Sequence, residues 1–330
     1  MKVAVAGLGW WGKQIIRCLG HSSRFEVLYG VDPALPPGSA ELAREFHVKL
    51  EKDLGTVLRD PLVGGVILAT PHGLHEEQIL AVLAAGKHVF CEKPLTMTGA
   101  GAARVLAACD KAGKVLGIGH ERRYEPAFEE LAQLVGRGTL GRLLHLDANY
   151  SHDLFRKLDS SNWRLNPAHA PAGMMTAVGI HLTDLFIVLA GPPAEVRAQT
   201  ATLALTPPAE DFVRANIIFK SGAHASINLL SATPFYGRCT VYGDAGWVEI
   251  TSEANVDQGK PTTLTRSIGG ERSTQIFPAT DTVSANFEAW ADAVEGRKPY
   301  RFTREQLLEN IRLFEAIVTS SRQGGQAVPL

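Results

Sequence analysis

The sequence predicts a two-domain chain: an α/β domain built on a parallel sheet, then an α+β domain with a large, mostly antiparallel open sheet. Three observations carry this. A short apolar run, Lys2 to Ala6, leads into glycines at 7, 9 and 12 and then into an amphipathic stretch, KQIIRCLG. Strand-like and helix-like segments alternate as far as residue 120, the pattern of βα units around a parallel sheet. Beyond His120 the pattern becomes a run of consecutive strand-like segments with helices before and after, as expected of an antiparallel sheet covered on one side. The two domains are therefore placed at 1–120 and 121–330.

The opening glycines have the G-x-G-x-x-G spacing between a strand and a helix, the context of a dinucleotide fingerprint and so of a Rossmann domain. Gly7 permits the tight turn, Gly9 lets the backbone approach a pyrophosphate, and Gly12 lets the helix pack on the strand. Unpaired N–H groups at the helix start favour phosphate there. The intervening Leu8, Trp10 and Trp11 belong to the same cofactor loop. Each tryptophan either faces the cofactor side or is buried against the second domain. A second strand, FEVLYGVD, ends in Asp32, twenty residues after Gly12. A carboxylate there accepts from both ribose hydroxyls of NAD and repels a 2′-phosphate. Pro33 and Ala34 follow, with no arginine beside the acid. The expected cofactor is NAD, with NADP not excluded.

Helices are expected in SAELAREFHV, DLGTVLRDP, HEEQILAVLAAG and TGAGAARVLAACDKAG. Strands are expected in GGVILATP, KHVFCEKP and VLGIGH. Ligands of such sheets bind outside the carboxyl ends of the strands, where ATPHGLH (69–75) and CEKPL (91–95) fall.

These segments, together with GLGWWG and GHERRYEP, closely resemble the Gfo/Idh/MocA oxidoreductases, the family of glucose–fructose oxidoreductase and the inositol dehydrogenases. The resemblance runs over essentially the whole chain, since NWR and GIHLTD continue it in the second half. It implies that Lys93, with Glu92 before it, reaches toward substrate and nicotinamide. An ammonium there stabilises the alkoxide that develops as hydride leaves an alcohol. The Lys93–Pro94 bond is expected to be cis, as in the family. Thr70, Pro71, His72 and His75 are similar to the family's T-P-x-x-x-H segment along the cofactor. His72 and His75 are three apart, but no third ligand lies nearby, so packing or capping is expected and no metal.

In the second half, Glu121–Val135 reads as a helix and RLLHLDANYSHD as a strand. SSNWRLNPAHAPAG is a loop, and GMMTAVGIHLTDLFIVLAG reads as one helix ending at Gly191. Strand-like runs follow to STQIFP, with hairpin turns at Lys220–Gly222 and Asp244–Gly246, and two helices close the chain near 281–296 and 303–322. The resemblance makes His181 the general base, a job an imidazole suits. It makes Asp184, three residues on, an orienting or substrate-binding acid, and places Arg123, Tyr124, Trp163 and Arg164 on the way into the cleft, where each either binds substrate or anchors its loop to the sheet. One position departs from the family: four residues before His181, where it often carries Asp, stands Ala177. Met174, Met175 and Val178 make this stretch apolar as well. Either the substrate is less hydroxylated than a typical sugar, or the proton relay is built differently.

A net charge of -1 and the lack of any long basic run favour neither nucleic acid nor an anionic membrane as partner. Arg122 and Arg123, flanked by Glu121 and Glu125, read as a solvated face. Four cysteines without C-x-x-C spacing fit reduced thiols in a cytoplasmic protein. The apolar start is short for a signal peptide, and no stretch approaches the roughly 20 apolar residues of a spanning helix. Few polar residues in NIIF hint at a homodimer or homotetramer formed through the open sheet face. The expected activity is NAD(P)-dependent hydride transfer at a secondary alcohol of a small sugar-, cyclitol- or polyol-like substrate. The alternatives are a lyase or glycosidase that keeps its NAD bound, and a non-catalytic dinucleotide sensor.

Overall fold

The computed structural model describes residues 1–330, with the side chain of Asp257 set aside. The strands are β1 Lys2–Ala6, β2 Glu26–Val31, β3 Lys49–Glu51, β4 Gly65–Leu68, β5 His88–Cys91, β6 Leu116–Ile118, β7 Leu143–Ser151, β8 Pro193–Ala201, β9 Phe212–Phe219, β10 His224–Leu230, β11 Tyr236–Gly243, β12 Gly246–Ser252, β13 Thr262–Ile268, β14 Glu271–Phe277 and β15 Val328–Pro329. The helices are α1 Trp10–Gly20, α2 Ser39–Glu45, α3 Leu54–Leu58, α4 His75–Ala84, α5 Gly99–Ala112, α6 Pro126–Gly136, α7 Ile180–Ala190, α8 Thr282–Val294 and α9 Arg304–Arg322. The chain forms two compact units, Met1–His120 with Val283–Arg304, and Glu121–Thr282 with Glu305–Leu330.

The first unit holds a six-stranded parallel sheet in the order β3-β2-β1-β4-β5-β6. Its direction reverses between β1 and β4, which opens a crevice at their carboxyl ends. Past Lys2 and His88 at their starts, the central strands β1, β4 and β5 are apolar and buried, as strands covered on both faces must be. Helix α1 turns Ile15, Ile16 and Leu19 onto the sheet, the spacing of one helix face.

The last third of the sequence completes this core. Trp290 and Phe287 of α8 are buried, with Phe90 of β5 at ring-centroid distances of 5.6 and 4.4 Å. Arg24 clamps the same helix through Glu288, Asp292 and Glu295 at 2.7–3.0 Å. Residues 283–304 thus pack with the nucleotide-type sheet, although they follow the second domain in sequence.

The second unit holds a nine-stranded sheet, β14-β13-β12-β11-β7-β10-β9-β8-β15, antiparallel except for β7 beside β10. Two adjacent cross-strand rows show its logic. Ala198, Ala215, Ile227, Ala148, Cys239, Ile250 and Leu264 stand side by side across seven strands, all buried. One residue along, Arg197, Asn216, Ser226, Asp147, Thr240, Glu249, Thr265 and Thr274 form a polar row across eight strands on the other face. A pleat of period two converts alternation into one apolar and one polar face. Of NIIF, Ile217 and Phe219 of β9 lie in the buried face, and only Ile218 is on the other, in a row with Glu195, His224 and His145, so the open face is more polar than NIIF implied.

Three local expectations are revised. Residues 121–135 are not one helix: Glu121–Tyr124 form a 3₁₀ turn, Glu125 is extended (φ −67°, ψ 125°), and α6 begins at Pro126. Proline disfavours helical backbone in the residue before it and suits the first helical position. The stretch 174–190 is not one regular helix either, because Met175–Gly179 form a π-turn before α7. The short strands β3 and β15 lack a run long enough to announce them.

Removing the α8 anchor tests the composite core. Trp290→Ala should destabilise the first unit by about 3–5 kcal/mol, read as a lower urea midpoint for the transition that melts the parallel sheet.

Candidate active site

In the first unit the candidate residues gather at the carboxyl ends of β1, β2, β4 and β5. Gly7 has φ 91°, and a Cβ on Gly12 would collide with the Gly7 carbonyl oxygen. Backbone and helix therefore meet where only hydrogen fits. A Cβ on Gly9 would meet nothing within 4 Å. Gly9 is also the N-cap of α1, which has no side-chain cap and no acid in its first turn. Open space against uncapped N–H groups fits a pyrophosphate, so the residues present suit NAD(P). Asp32 accepts from the Leu8 N–H and the Ala34 N–H, both at 2.9 Å. The acid thus latches the glycine loop onto β2, with its charge held at the strand end. Trp10 is exposed, and its ring lies 5.4 Å from that of half-buried Trp11.

His75 is fully buried in the first turn of α4. Its Nδ1 lies 2.7 Å from the Pro94 carbonyl and its Nε2 3.0 Å from the Thr70 carbonyl. Carbonyls only accept, and a neutral imidazole has one N–H. Burial pushes the ring toward that neutral form, against the pull of the two carbonyls. The neutral ring donates to one of the two carbonyls and packs against the other, filling the space between the Thr70–Pro71 turn and the turn after β5, with the His72 ring edge-on at 5.8 Å. Thr70 is fixed in addition by Gln78 at 2.6 Å.

The Lys93–Pro94 peptide is cis. Lys93 is half-buried, while Glu92 is buried with its carboxylate pressed on Gly119, where a Cβ would strike it. Burial raises the Glu92 carboxyl above the usual range, although the Lys93 charge and the nearby Trp11 indole pull it down.

In the second unit, ERRY (121–124) is where expectation and structure differ most. Glu121, Arg122, Arg123, Tyr124 and Glu125 are all buried, not a solvated face. Charges enter an interior only when paired, and partners are present. Arg123 grips both oxygens of Asp184 (Nε–Oδ2 and Nη2–Oδ1, each 2.6 Å) and also donates to Gln306. Arg122 pairs with Glu125 at 2.8 Å, donates to Asn255 and lies over the Tyr150 ring. Glu121 stands 3.8 Å from His181 Nε2. His181 and Asp184 share one face of α7, as their spacing implies, and Asp184 is bound by Arg123.

Ala177 sits inside the π-turn, half-buried among buried neighbours, so no regular helical turn joins it to His181. Trp163 and Arg164 lie in a separate 3₁₀ turn, Trp163–Leu165, capped by Asn162. The Arg164 guanidinium stacks on Trp163 at 4.4 Å from the ring centroid, and burial lowers its pKa. Glu121 was missed because a charged tetrapeptide before a proline looks like surface. The signal available was its place immediately after a strand end of the sheet. Among the described residues no group of three or more His, Cys, Asp or Glu is arranged to hold a metal.

Comparison with known proteins fits this geometry. Residues 1–120 match the model of an oxidoreductase family with an NAD-binding Rossmann fold, and residues 128–249 match the Gfo/Idh/MocA C-terminal domain. The 1,5-anhydro-D-fructose reductase of Ensifer adhaerens is 31% identical over 92% of this chain and 90% of its own. The D-xylose 1-dehydrogenase (NADP(+)) 2 of Haloferax volcanii is 30% identical over 81% of each chain. A crystal structure of aldose–aldose oxidoreductase from Caulobacter crescentus, complexed with glycerol, superposes with a TM-score of 0.87 at 26% identity, covering 100% of this chain and 99% of that one. Fold and glycine loop define an NAD(P)-dependent oxidoreductase. The chain belongs to the Gfo/Idh/MocA family.

Two outcomes are expected. Because the folded Glu92 carboxyl is raised, its burial favours the protonated form, and that stability is lost as pH rises through the raised value. Glu92→Gln should therefore raise the thermal midpoint at pH 8 by about 2 °C, with the gain vanishing in acid below the ordinary glutamate range. Arg123→Leu strands a buried Asp184 and should destabilise the second unit by about 3–5 kcal/mol, read by denaturant unfolding.

Proposed function

We propose that the protein transfers hydride between the nicotinamide of NAD(P) and a secondary alcohol of a small sugar-, cyclitol- or polyol-like substrate, with Lys93 and His181 as its catalytic residues. The observation that carries the reading is Lys93, just past the carboxyl end of β5, in the same unit as the latched glycine loop. The names of the relatives, a 1,5-anhydro-D-fructose reductase and a D-xylose dehydrogenase, support the substrate class.

When bound, the nicotinamide supplies the hydride acceptor or donor. The chain's own residues supply the rest. The uncapped N-terminus of α1 and Gly9 hold the pyrophosphate. Asp32 meets the ribose and disfavours a 2′-phosphate, so NAD is preferred over NADP. The Lys93 ammonium stabilises negative charge on the substrate oxygen, and His181 accepts the hydroxyl proton in oxidation and returns it in reduction. Arg123 and Asp184 fix the helix that carries His181, and Trp163 with Arg164 presents a stacked cation to substrate, with Tyr124 beside the turn. Ala177 and the methionines before it give that stretch an apolar wall.

The protein is further proposed to work in the cytoplasm, where its four free thiols stay reduced, and to associate as a homodimer or homotetramer through the polar open face of the nine-stranded sheet. Among the described residues no helix is long and apolar enough to cross a membrane.

The test is nicotinamide absorbance with NAD and NADP against cyclitols, aldoses, sugar acids and apolar cyclic alcohols, and with NADH against 1,5-anhydro-D-fructose. Lys93→Ala should lower kcat by roughly 10²–10³ on any substrate turned over, with NADH affinity within a few-fold. Asp32→Ala should shift kcat/KM toward NADP. NADH binding with no turnover anywhere in the panel would sink the dehydrogenase reading.

A further inference from the structure

Glu121, the acid beside His181, lies outside every role assigned so far. His181 is 4% exposed and Glu121 8% exposed, and Nε2 to Oε1 is 3.8 Å. Two elements far apart in sequence, the 3₁₀ turn after β6 and helix α7, bring them together. The turn is held against α7 by the bidentate Arg123–Asp184 contact two residues from Glu121 and three from His181.

A buried histidine acting as base must become an imidazolium, and burial opposes that charge. Nothing on its own helix helps. Met174 to Ile180 contains no titratable side chain, and both oxygens of Asp184 are taken by Arg123. We propose that Glu121 is the positioning residue for His181. Its carboxylate stabilises the imidazolium formed when the substrate hydroxyl gives up its proton, and holds Nε2 on that side of the ring. The proton passes from substrate oxygen to imidazole, while Glu121 stays ionised.

Helix α9 meets α7 through Asn310, which accepts from Thr183 and donates to the Ile180 carbonyl, and its buried Glu309 is paired with Arg312. The other elements packed on α7 bring few competitors. The π-turn brings no titratable group. Strand β7 turns Asp147 to Arg238, His145 to Ser226 and the Tyr150 hydroxyl to Ser252. Helix α6 carries Glu129, and Glu130 paired to Arg266. Arg122 and Arg123 are paired within the cluster and oppose a charge on the ring.

For its catalytic consequence the inference rests on the proposed alcohol oxidation, so its first test needs no substrate. In protein labelled with ¹⁵N-histidine, the His181 ring signals are assigned by their loss in His181→Asn and titrated in wild type, Glu121→Gln and Glu121→Asp. The wild-type midpoint should exceed that of Glu121→Gln by about one unit or more, with Glu121→Asp between them. A Glu121→Gln midpoint within about 0.3 unit of wild type overturns the proposal. Should the Gln variant fold poorly, Glu121→Asp decides, because an acid one methylene further away must still shift the midpoint down.

The second test uses whichever alcohol of the panel wild type oxidises, at a pH above all three midpoints measured in the first test. Glu121→Gln should lower kcat about tenfold or more with KM within about threefold, and Asp should restore part of the rate. A purely structural glutamate would instead lower thermal stability with kcat unchanged, and that result also overturns the proposal. A shifted midpoint with no panel substrate oxidised by wild type would leave the pair standing and remove the dehydrogenase reading.

Discussion

The ion pair between Arg123 and Asp184 is the contact on which the second unit's chemistry depends. Both groups are buried, and both carboxylate oxygens are bound by one guanidinium. Such a pair contributes little net stability, because desolvation offsets much of the attraction. Its planar fork fixes direction, however, in a way a lysine would not. One turn of α7 and the short turn after β6 are thereby locked in register, and the residues beside the pair inherit that register. His181, three positions before Asp184, and Glu121, two before Arg123, then come within ion-pair distance.

The first unit uses a milder version of the same device. Asp32 closes the glycine loop through one backbone N–H and its own turn through another. His75 donates to one of two carbonyls and packs against the other, and so fills the space between the turns that follow β4 and β5. Neither contact crosses to a ligand. Each holds loop backbone still at the end of the parallel sheet, where loops otherwise carry the mobility of a fold.

Much of this was legible because it rests on local patterns. The glycine spacing, the acid at the end of β2 and the alternation of strands and helices each follow from short-range sterics and burial. The Glu-Lys-Pro turn was found at a strand end for the same reason. What escaped is non-local. Trp290 reads as one more apolar helix residue, and nothing around it says that its partner is Phe90, two hundred residues earlier. The Arg122–Arg123 pair and its flanking acids read by charge alone as surface, because single residues give no sign of a buried partner, and only the fold supplies Asp184 and His181. The π-turn escaped because its composition is that of an ordinary apolar helix. The apolar end of β9 pointed to an open face that the register shows to be more polar, since alternation, not composition, sets which side a residue occupies.

The insertion of α8 into the first unit has a consequence for synthesis. Domains usually fold in the order they leave the ribosome. Here the parallel sheet emerges with Phe90 and Phe25 still uncovered, and their ring partners Phe287 and Trp290 arrive after strands β7 to β14 have been made. The nucleotide-type core therefore stays incomplete until residue 304 is out, and the two units mature together instead of one after the other. A chain truncated before α8 would carry every residue of the glycine loop and Lys93, yet would lack the aromatic lid that closes the sheet beneath them.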